Sequence, residues 1–334
     1  MTNEKTVRLA AIQAAPVLFD KQASTEKACA LIRQAGKDGA DFAVFGETWL
    51  PGYPFWIESA VSDATWAASA DYLANAVTLG GPETQALCAA AKEAGTDVVI
   101  GVAEKDPHSA GTAYCTALII GREGDILSRH RKLKPTHAER IIWGDGDGAG
   151  LHPVDRPYGK VSALNCWEHQ MMLPGYTLAA RGTQFHAALW PGWEKTPRPE
   201  EYCWSRQLVL SRAYASQAAA YVVCAAGLRL KSHIPQRYKH FDQWEHSGHS
   251  AIIDPRGEVI AGPAEGETIL MAEASLETVR AAKAAVDIAG HYARPDIFDL
   301  HVDDTPREGS VRFSSDTDFD HPGTPDEIDF SVKK

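Results

Sequence analysis

Short apolar runs recur along the chain, separated by glycines or prolines and by segments of helical spacing. Residues 7–13 (VRLAAIQ) form an almost unbroken apolar run of strand length. Ser24 offers a helix N-cap, and Ala28, Leu31, Ile32 and Ala35 follow at i, i+3, i+4 and i+7 on one face. Gly36 and Gly39 are expected to stop that helix, and 41–45 reads as the next strand, running into Gly46 and Glu47. The grammar repeats with a helix over 82–94, Gly95 and a strand over 98–102. It returns as a helix over 176–181, Gly182 and a strand over 185–189, then as a helix over 205–218 and a strand over 221–224. Helix–glycine–strand units of this kind imply a sheet covered by helices. Two hairpins interrupt them: 113–120 with 126–130, and 250–253 with 258–261, each joined by a polar, glycine-containing turn. The sheet is therefore mixed. Neither GxGxxG nor GxxxxGK[ST] occurs, which removes the two commonest arguments for a nucleotide site. Beyond about Leu300 the periodicity fades. Residues 301–334 are expected to form an acidic, partly disordered or surface-wrapping tail on a single domain over 1–300.

Charge narrows the function classes. Lys and Arg number 33 against 44 Asp and Glu, a net charge of −11. Such a chain is poorly suited to nucleic acid or to anionic membranes. The N-terminal residues 1–8 lack the apolar region of a secretory signal, and the longest apolar stretch, 218–228, falls far short of a bilayer span. A cytoplasmic location with reduced thiols is the expectation. Six cysteines without a CxxC pair argue against a disulfide framework and against a zinc site.

Three segments place reactive residues at the end of an apolar strand, where α/β folds build active sites. They end in Glu47, in Arg131-Lys132 and in Cys166. A strand cysteine is most often a core residue, and Cys115 and Cys224 fit that role. Cys166 differs because its strand stops at once in Trp167-Glu168-His169. Glu47 is either a solvated strand-end charge or a desolvated carboxylate. The aromatic, proline-rich run after it, residues 48–56, favours the second, with a raised pKa that suits a general base. Lys132 is a surface cation unless it turns inward beside Glu47, where Glu139 could brace it. Together, a thiolate nucleophile, a carboxylate base and a cation for developing negative charge form a hydrolytic set that needs neither metal nor cofactor. Tyr53, Trp143, Trp167, Trp190 and Pro191 lie in or beside these segments, as core aromatics or as the wall of an apolar substrate pocket. Six of the nine tryptophans fall near the same segments, which favours a dry pocket wall. His137 and His169 are candidates to back the site, and His186 reads as a core histidine.

At these positions the chain resembles the nitrilase superfamily, in particular its nitrilase branch. The resemblance rests on Phe45-Gly46-Glu47-Thr48, on Arg131-Lys132-Leu133-Lys134-Pro135-Thr136 with Glu139-Arg140, and on Trp143-Gly144-Asp145-Gly146-Asp147-Gly148. Leu164-Asn165-Cys166-Trp167-Glu168-His169 and Gly290-His291-Tyr292-Ala293-Arg294-Pro295-Asp296 complete it, so it spans nearly the whole of 7–300. It implies a four-layer α-β-β-α sandwich, paired as a homodimer and often extended into larger homo-oligomers or spirals. It also implies Glu47, Lys132 and Cys166 as the catalytic triad, with Glu139 as a structural fourth member. The implied reaction is hydrolysis of a small-molecule organic nitrile to the carboxylic acid and ammonia. Cys166-Trp167-Glu168 resembles the nitrilase branch, whereas amidase branches usually carry Tyr or His and then Asp after the cysteine. Two departures stand out: Gly46 replaces the usual proline, and His249 replaces a glycine of Gly-Gly-Ser. The alternatives are cyanide hydrolysis or amidase activity within the superfamily, or a non-catalytic binding relative, which the presence of all three triad residues disfavours.

Overall fold

The computed structural model describes residues 6–195, 206–241 and 245–310. Two six-stranded mixed sheets form its centre. The first has the order β15 (Thr268–Ala274), β1 (Val7–Gln13), β2 (Phe42–Phe45), β3 (Asp97–Lys105), β4 (Ala113–Ile120), β5 (Ile126–Arg131). The second has the order β14 (Val259–Ala261), β13 (Ala251–Ile253), β10 (Tyr221–Ala226), β8 (Phe185–Trp190), β7 (Gly159–Asn165), β6 (Val154–Arg156). A small ribbon adds β11 (Leu228–Arg229), β12 (Glu245–Ser247) and β9 (Glu194–Lys195). Each large sheet is parallel at its centre, through β1, β2 and β3 in one and β7, β8 and β10 in the other, with antiparallel flanks. Both expected hairpins form, as β4–β5 and β13–β14.

Alternation along the central strands sets the layers. Leu9, Ala11, Phe42 and Val44 of the first sheet meet Val161, Phe185, Ala187 and Val223 of the second in one buried inter-sheet core. The opposite faces carry the helices. Ala10, Ile12 and Phe45 pack on α1 (Lys21–Lys37) and α3 (Pro82–Ala94). Ala188, Val222 and Cys224 pack with residues of α4 (Met172–Ala180) and α5 (Arg206–Ala218). The expected four-layer α-β-β-α sandwich is thus present. Because both faces of these strands are covered, their apolar runs are continuous rather than alternating.

Several boundaries differ from expectation. Asp20, not Ser24, caps α1, accepting from the N–H of Ala23 at 2.9 Å. Ser24 lies inside the first turn and exchanges hydrogen bonds with Val17. The helix also runs through Gly36, where the lack of a side chain serves packing instead of termination. A Cβ there would come within 2.7 Å of Ala94 Cβ on α3. Helix α4 begins at Met172, four residues before the expected start. Helices α2 (Asp63–Ala74) and α6 (Leu276–Ala285) have no counterpart among the expected elements.

Two polar ties hold the ends of the layers. Buried Asp97, opening β3, accepts from Arg122 at 3.0 Å and from Arg156 of β6 at 2.8 Å, so it links the two sheets. In the described part of the expected tail, 301–310, Arg131 donates to the carbonyls of Arg307 and Glu308, and Ser310 N–H donates to Asp106. Residues 311–334 lie outside the described residues, as do Met1, Cys203, Trp204, Ser205 and Trp244. Among the described residues no helix is long and apolar enough to cross a membrane.

Candidate active site

Glu47 follows β2 after Gly46, and its own N–H donates to the carbonyl of Trp190 at the end of β8, 3.1 Å away. Two glycines allow this close passage. A Cβ at Gly46 would come within 2.7 Å of the Gly227 nitrogen and 2.9 Å of the Trp190 oxygen. A Cβ at Gly101, on β3, would overlap the Gly46 carbonyl and the Thr48 amide. The backbone that carries the carboxylate is therefore clamped on two sides by main chain. Here Gly46, a departure from the family pattern, is the residue that fits.

Lys132 follows β5, and its N–H donates to the carbonyl of Cys115 on β4 at 2.7 Å. Its ammonium is fully buried and donates to Glu47 Oε1 and to Glu139 Oε2, each at 2.7 Å. Glu139 also accepts from the hydroxyl of Tyr53 at 2.7 Å and from the N–H of Thr136 at 2.6 Å, capping its own short helical turn. One cation between two carboxylates leaves the array with a net negative charge. Burial, reinforced by the charge of Glu139 and opposed by Lys132, pushes the Glu47 carboxyl up to about 7. Burial works against the Lys132 ammonium, but Glu47 and Glu139 outweigh it and hold its pKa well above the ordinary lysine range.

Cys166 is buried where β7 turns into a short helical segment, Cys166–Gln170, with its own φ at +50°. For a non-glycine residue this left-handed backbone costs on the order of 1–2 kcal/mol. It turns the thiol out of the strand direction. Burial and the negative charge of Glu47 raise the thiol pKa well above its usual value, while Lys132 and the backbone N–H of Trp167 oppose them. The resting group is therefore the thiol, beside a carboxylate poised to take its proton.

Glu168 links the two strand ends. Its fully buried carboxylate accepts from Leu133 N–H and Asn165 N–H, each at 2.8 Å, and from His130 at 3.0 Å. Leu133 and Asn165 are the chain neighbours of Lys132 and Cys166, so one side chain sets the spacing of both. Burial raises the Glu168 pKa, but His130 and the two N–H donors more than compensate and hold it low. His169 backs Cys166 from the other side: its Nδ1–H donates to the Cys166 carbonyl at 2.7 Å. Burial lowers its pKa to about 4, so the ring is neutral and Nε2 accepts from His186 at 3.0 Å. His186 Nδ1 then accepts from Ser162 at 2.8 Å, which makes it the hydrogen-bonded core histidine expected of it.

The expected pocket residues divide. Tyr53 and Pro191 line a narrow cavity beside Glu47, together with Trp49, Arg229 and His246. That cavity is about 10 Å³, roughly the room of one water. Trp143 stands edge-on to Tyr53 with its ring 5.7 Å from the Lys132 ammonium. Trp190 gives its carbonyl to Glu47, but its indole stacks on His169 and donates to Ser211, in the layer between the second sheet and α5. Trp167 lies under the Arg206 guanidinium. Trp56 is a core residue packed on Phe19 and Tyr72, so the wealth of tryptophan near the motifs serves packing as much as a cavity wall. His249 has φ at +70°, the region a glycine occupies without strain, and its ring rests on Trp193 at 4.8 Å.

Sequence reasoning missed Glu168, His130 and Cys115. Glu168 lies inside one of the family motifs and His130 directly before another, yet nothing in their spacing marks them as partners. Cys115 reads as a core residue, but its thiol donates to Glu47 Oε1 at 3.3 Å. Among the described residues no group of three or more His, Cys, Asp or Glu side chains is placed to hold a metal ion.

A strand-end acid and an acid on a helical turn hold one buried lysine, near a cysteine on the opposing sheet, a set of groups suited to cysteine-type hydrolysis. The carbon-nitrogen hydrolase family profile matches residues 8–284. A protein called nitrilase 2, from an unknown prokaryotic organism, is 50% identical over 319 residues, covering 93% of this chain and 97% of its own. An aliphatic nitrilase of Rhodococcus rhodochrous is 35% identical over 89% of this chain and 82% of its own. In fold, the NitFhit protein of C. elegans superimposes with a TM-score of 0.70 at 20% identity, over 91% of this chain and 68% of that one. The chain belongs to the carbon-nitrogen hydrolase family. It is a hydrolase acting on carbon–nitrogen bonds.

Proposed function

We propose that the chain hydrolyses an organic nitrile to the carboxylic acid and ammonia, with Cys166 as nucleophile, Glu47 as general base, Lys132 as the electrostatic group and Glu139 as its brace. The observation that carries this reading is the buried Glu47–Lys132–Glu139 array set against a thiol that is protonated at rest. Its nitrilase relatives support the substrate class. Glu47 takes the Cys166 proton, and the thiolate adds to the nitrile carbon to give a thioimidate. Lys132 and the Trp167 N–H stabilise the negative charge developing on nitrogen. Glu47 then delivers water to the thioimidate carbon. The tetrahedral intermediate expels ammonia and leaves an acyl-thioester, which a second water hydrolyses to the acid. Expulsion of the thiol from the same intermediate releases some amide instead. Tyr53, Pro191, Trp143 and Trp167 are retained as substrate-pocket residues, whereas Trp190 meets the site through its carbonyl and commits its indole to packing.

The reading takes residues 1–300 as one hydrolase domain carrying an acidic segment, 301–334. The requirement for a free thiol fits a reducing compartment such as the cytoplasm. Exposed Met172 and Leu173 on α4 and Val209 on α5 support a homodimer through the helical layer, extended into larger homo-oligomers, which light scattering tests. The deciding experiment is ammonia release from aliphatic, arylaliphatic and aromatic nitriles, with cyanide and amides alongside. Wild type releases ammonia from at least one nitrile and Cys166→Ala releases none. Full activity in Cys166→Ala overturns the assignment.

A further inference from the structure

Glu47 is a base with two unlike oxygens. Oε1 accepts from the Lys132 ammonium at 2.7 Å and from the Cys115 thiol at 3.3 Å. Oε2 is equally buried and has no hydrogen-bond partner within the protein. A buried carboxylate oxygen without a donor is costly unless a proton or a substrate-side donor reaches it. We propose that Cys115 is a positioning residue for the reaction: its S–H and Lys132 saturate Oε1 of Glu47 and so commit Oε2 to proton transfer. The inference rests on the role proposed above for Glu47. The proton lost by the Cys166 sulfur arrives on Oε2 and passes to the nitrile nitrogen as the thioimidate forms. Oε2 then takes a proton from the first water and yields it to the departing ammonia, and takes one from the second water and returns it to the Cys166 sulfur as the acid leaves.

The position of Cys115 suits the task. It is buried on β4, next to β5, the strand that leads into Lys132, and its own carbonyl accepts the Lys132 N–H at 2.7 Å. One residue therefore touches both the backbone of the cation and the side chain of the base. Other charged or titratable groups facing Glu47 are Lys132 after β5, Glu139 on its helical turn, Cys166 after β7, and Tyr53 and Tyr72. Lys132 alone among these groups and Cys115 shares Oε1 with the thiol in the hydrogen bonding of the site. Burial and the neighbouring Glu47 push the Cys115 thiol well above its usual range, so it stays protonated and serves as a donor, not as a competing nucleophile.

Cys115→Ala and Cys115→Ser separate donation from packing. Steady-state ammonia release across pH gives kcat, KM and the acid limb of kcat/KM. Alkylation of Cys166 by iodoacetamide, compared with a Cys166→Ala control, reads the Cys166–Glu47 proton transfer without a nitrile. Removing a donor to the carboxylate raises its pKa. In Cys115→Ala the acid limb therefore moves up by roughly half to one pH unit, and kcat falls about tenfold with KM little changed. The alkylation profile shifts in the same direction. Cys115→Ser keeps a donor and restores the wild-type limb. An unmoved limb in Cys115→Ala overturns the proposal, as does an equal loss of activity in both variants with the limb in place, which is the signature of packing alone. Failure of wild type to release ammonia from any nitrile bears on the proposed reaction instead. The alkylation profiles still decide the role of Cys115 in that case.

Discussion

Replacing Glu139 by Gln removes one negative charge from beside the proposed base while keeping nearly the same shape. Glu47 and Glu139 each place an oxygen 2.7 Å from the Lys132 nitrogen. Those oxygens are therefore roughly 5 Å apart or less, where two like charges repel by about 3 kcal/mol at an effective dielectric of about 20. That repulsion is one cause of the raised Glu47 pKa, which stands at about 7. Its full removal at that separation lowers the Glu47 pKa by about two units. The base must be ionised to work, so activity rises with pH through its pKa. The wild-type acid limb of kcat/KM is expected near 7, and in Glu139→Gln it moves to lower pH by about half a unit to two units. The plateau falls in the same variant. Lys132, Tyr53 and Thr136 all donate to the Glu139 carboxylate, and an amide offers them one acceptor oxygen instead of two. Each donor left unsatisfied costs about 1–3 kcal/mol, which corresponds to a plateau roughly tenfold to a hundredfold lower. Ammonia release measured across pH at several nitrile concentrations reads both effects. A limb that stays in place or moves upward refutes the reasoning, because the Glu139 charge would then have no hold on Glu47.

Three further outcomes are expected. Glu168→Gln loosens the tie between the Lys132 and Cys166 strand ends. It should lower kcat at least tenfold with little change in KM and cost about 2–4 kcal/mol in urea denaturation. Gly46→Ala forces a methyl against the main chain of Gly227 and Trp190, so a loss of about 1–3 kcal/mol in stability is expected together with a marked loss of ammonia release. Asp97 has its pKa lowered in the fold: burial raises it, but Arg156 and Arg122 outweigh that effect. Its contribution is present above the ordinary Asp pKa and is lost as pH falls through the lower folded value. Asp97→Asn should therefore cost about 3 kcal/mol near neutral pH, and wild type and variant should converge in urea titrations at increasingly acid pH.

Much of the fold is legible in the chain because its central strands are covered on both faces. Continuous apolar runs such as 98–102 and 221–224 leave few alternatives to a buried strand, and the glycines after the helices fix the rhythm. Helices α2 and α6 were less visible because they sit at the margins of the sandwich; α6 buries only Val279 fully. Ser24 and Gly36 mislead for one reason: a residue type that caps or stops helices in isolation was placed by tertiary contacts, with Val17 and with Ala94. At the site, Glu47, Lys132 and Cys166 announce themselves as reactive residues at strand ends. Glu168 and Cys115 do not, because their importance lies in what they touch across the fold. Leu133 and Glu168 are 35 residues apart, and Glu47 and Cys115 are 68 apart. Long-range pairings of that kind leave no local pattern. The tryptophans mislead in the opposite direction, since Trp190 and Trp56 spend their rings on packing.

The proposed base and its cation sit at strand ends of one sheet and the proposed nucleophile at a strand end of the other. No single layer of the sandwich holds a complete reaction centre. An ångström of slip between the sheets separates sulfur from carboxylate while leaving every hydrogen bond within each sheet intact. Ammonia release is thus a gauge of how the two halves are registered, finer than any spectroscopic count of strand content. On gradual addition of urea it should fade before the far-ultraviolet signal does. Enzymatic silence would then be the first audible sign of a sandwich beginning to open.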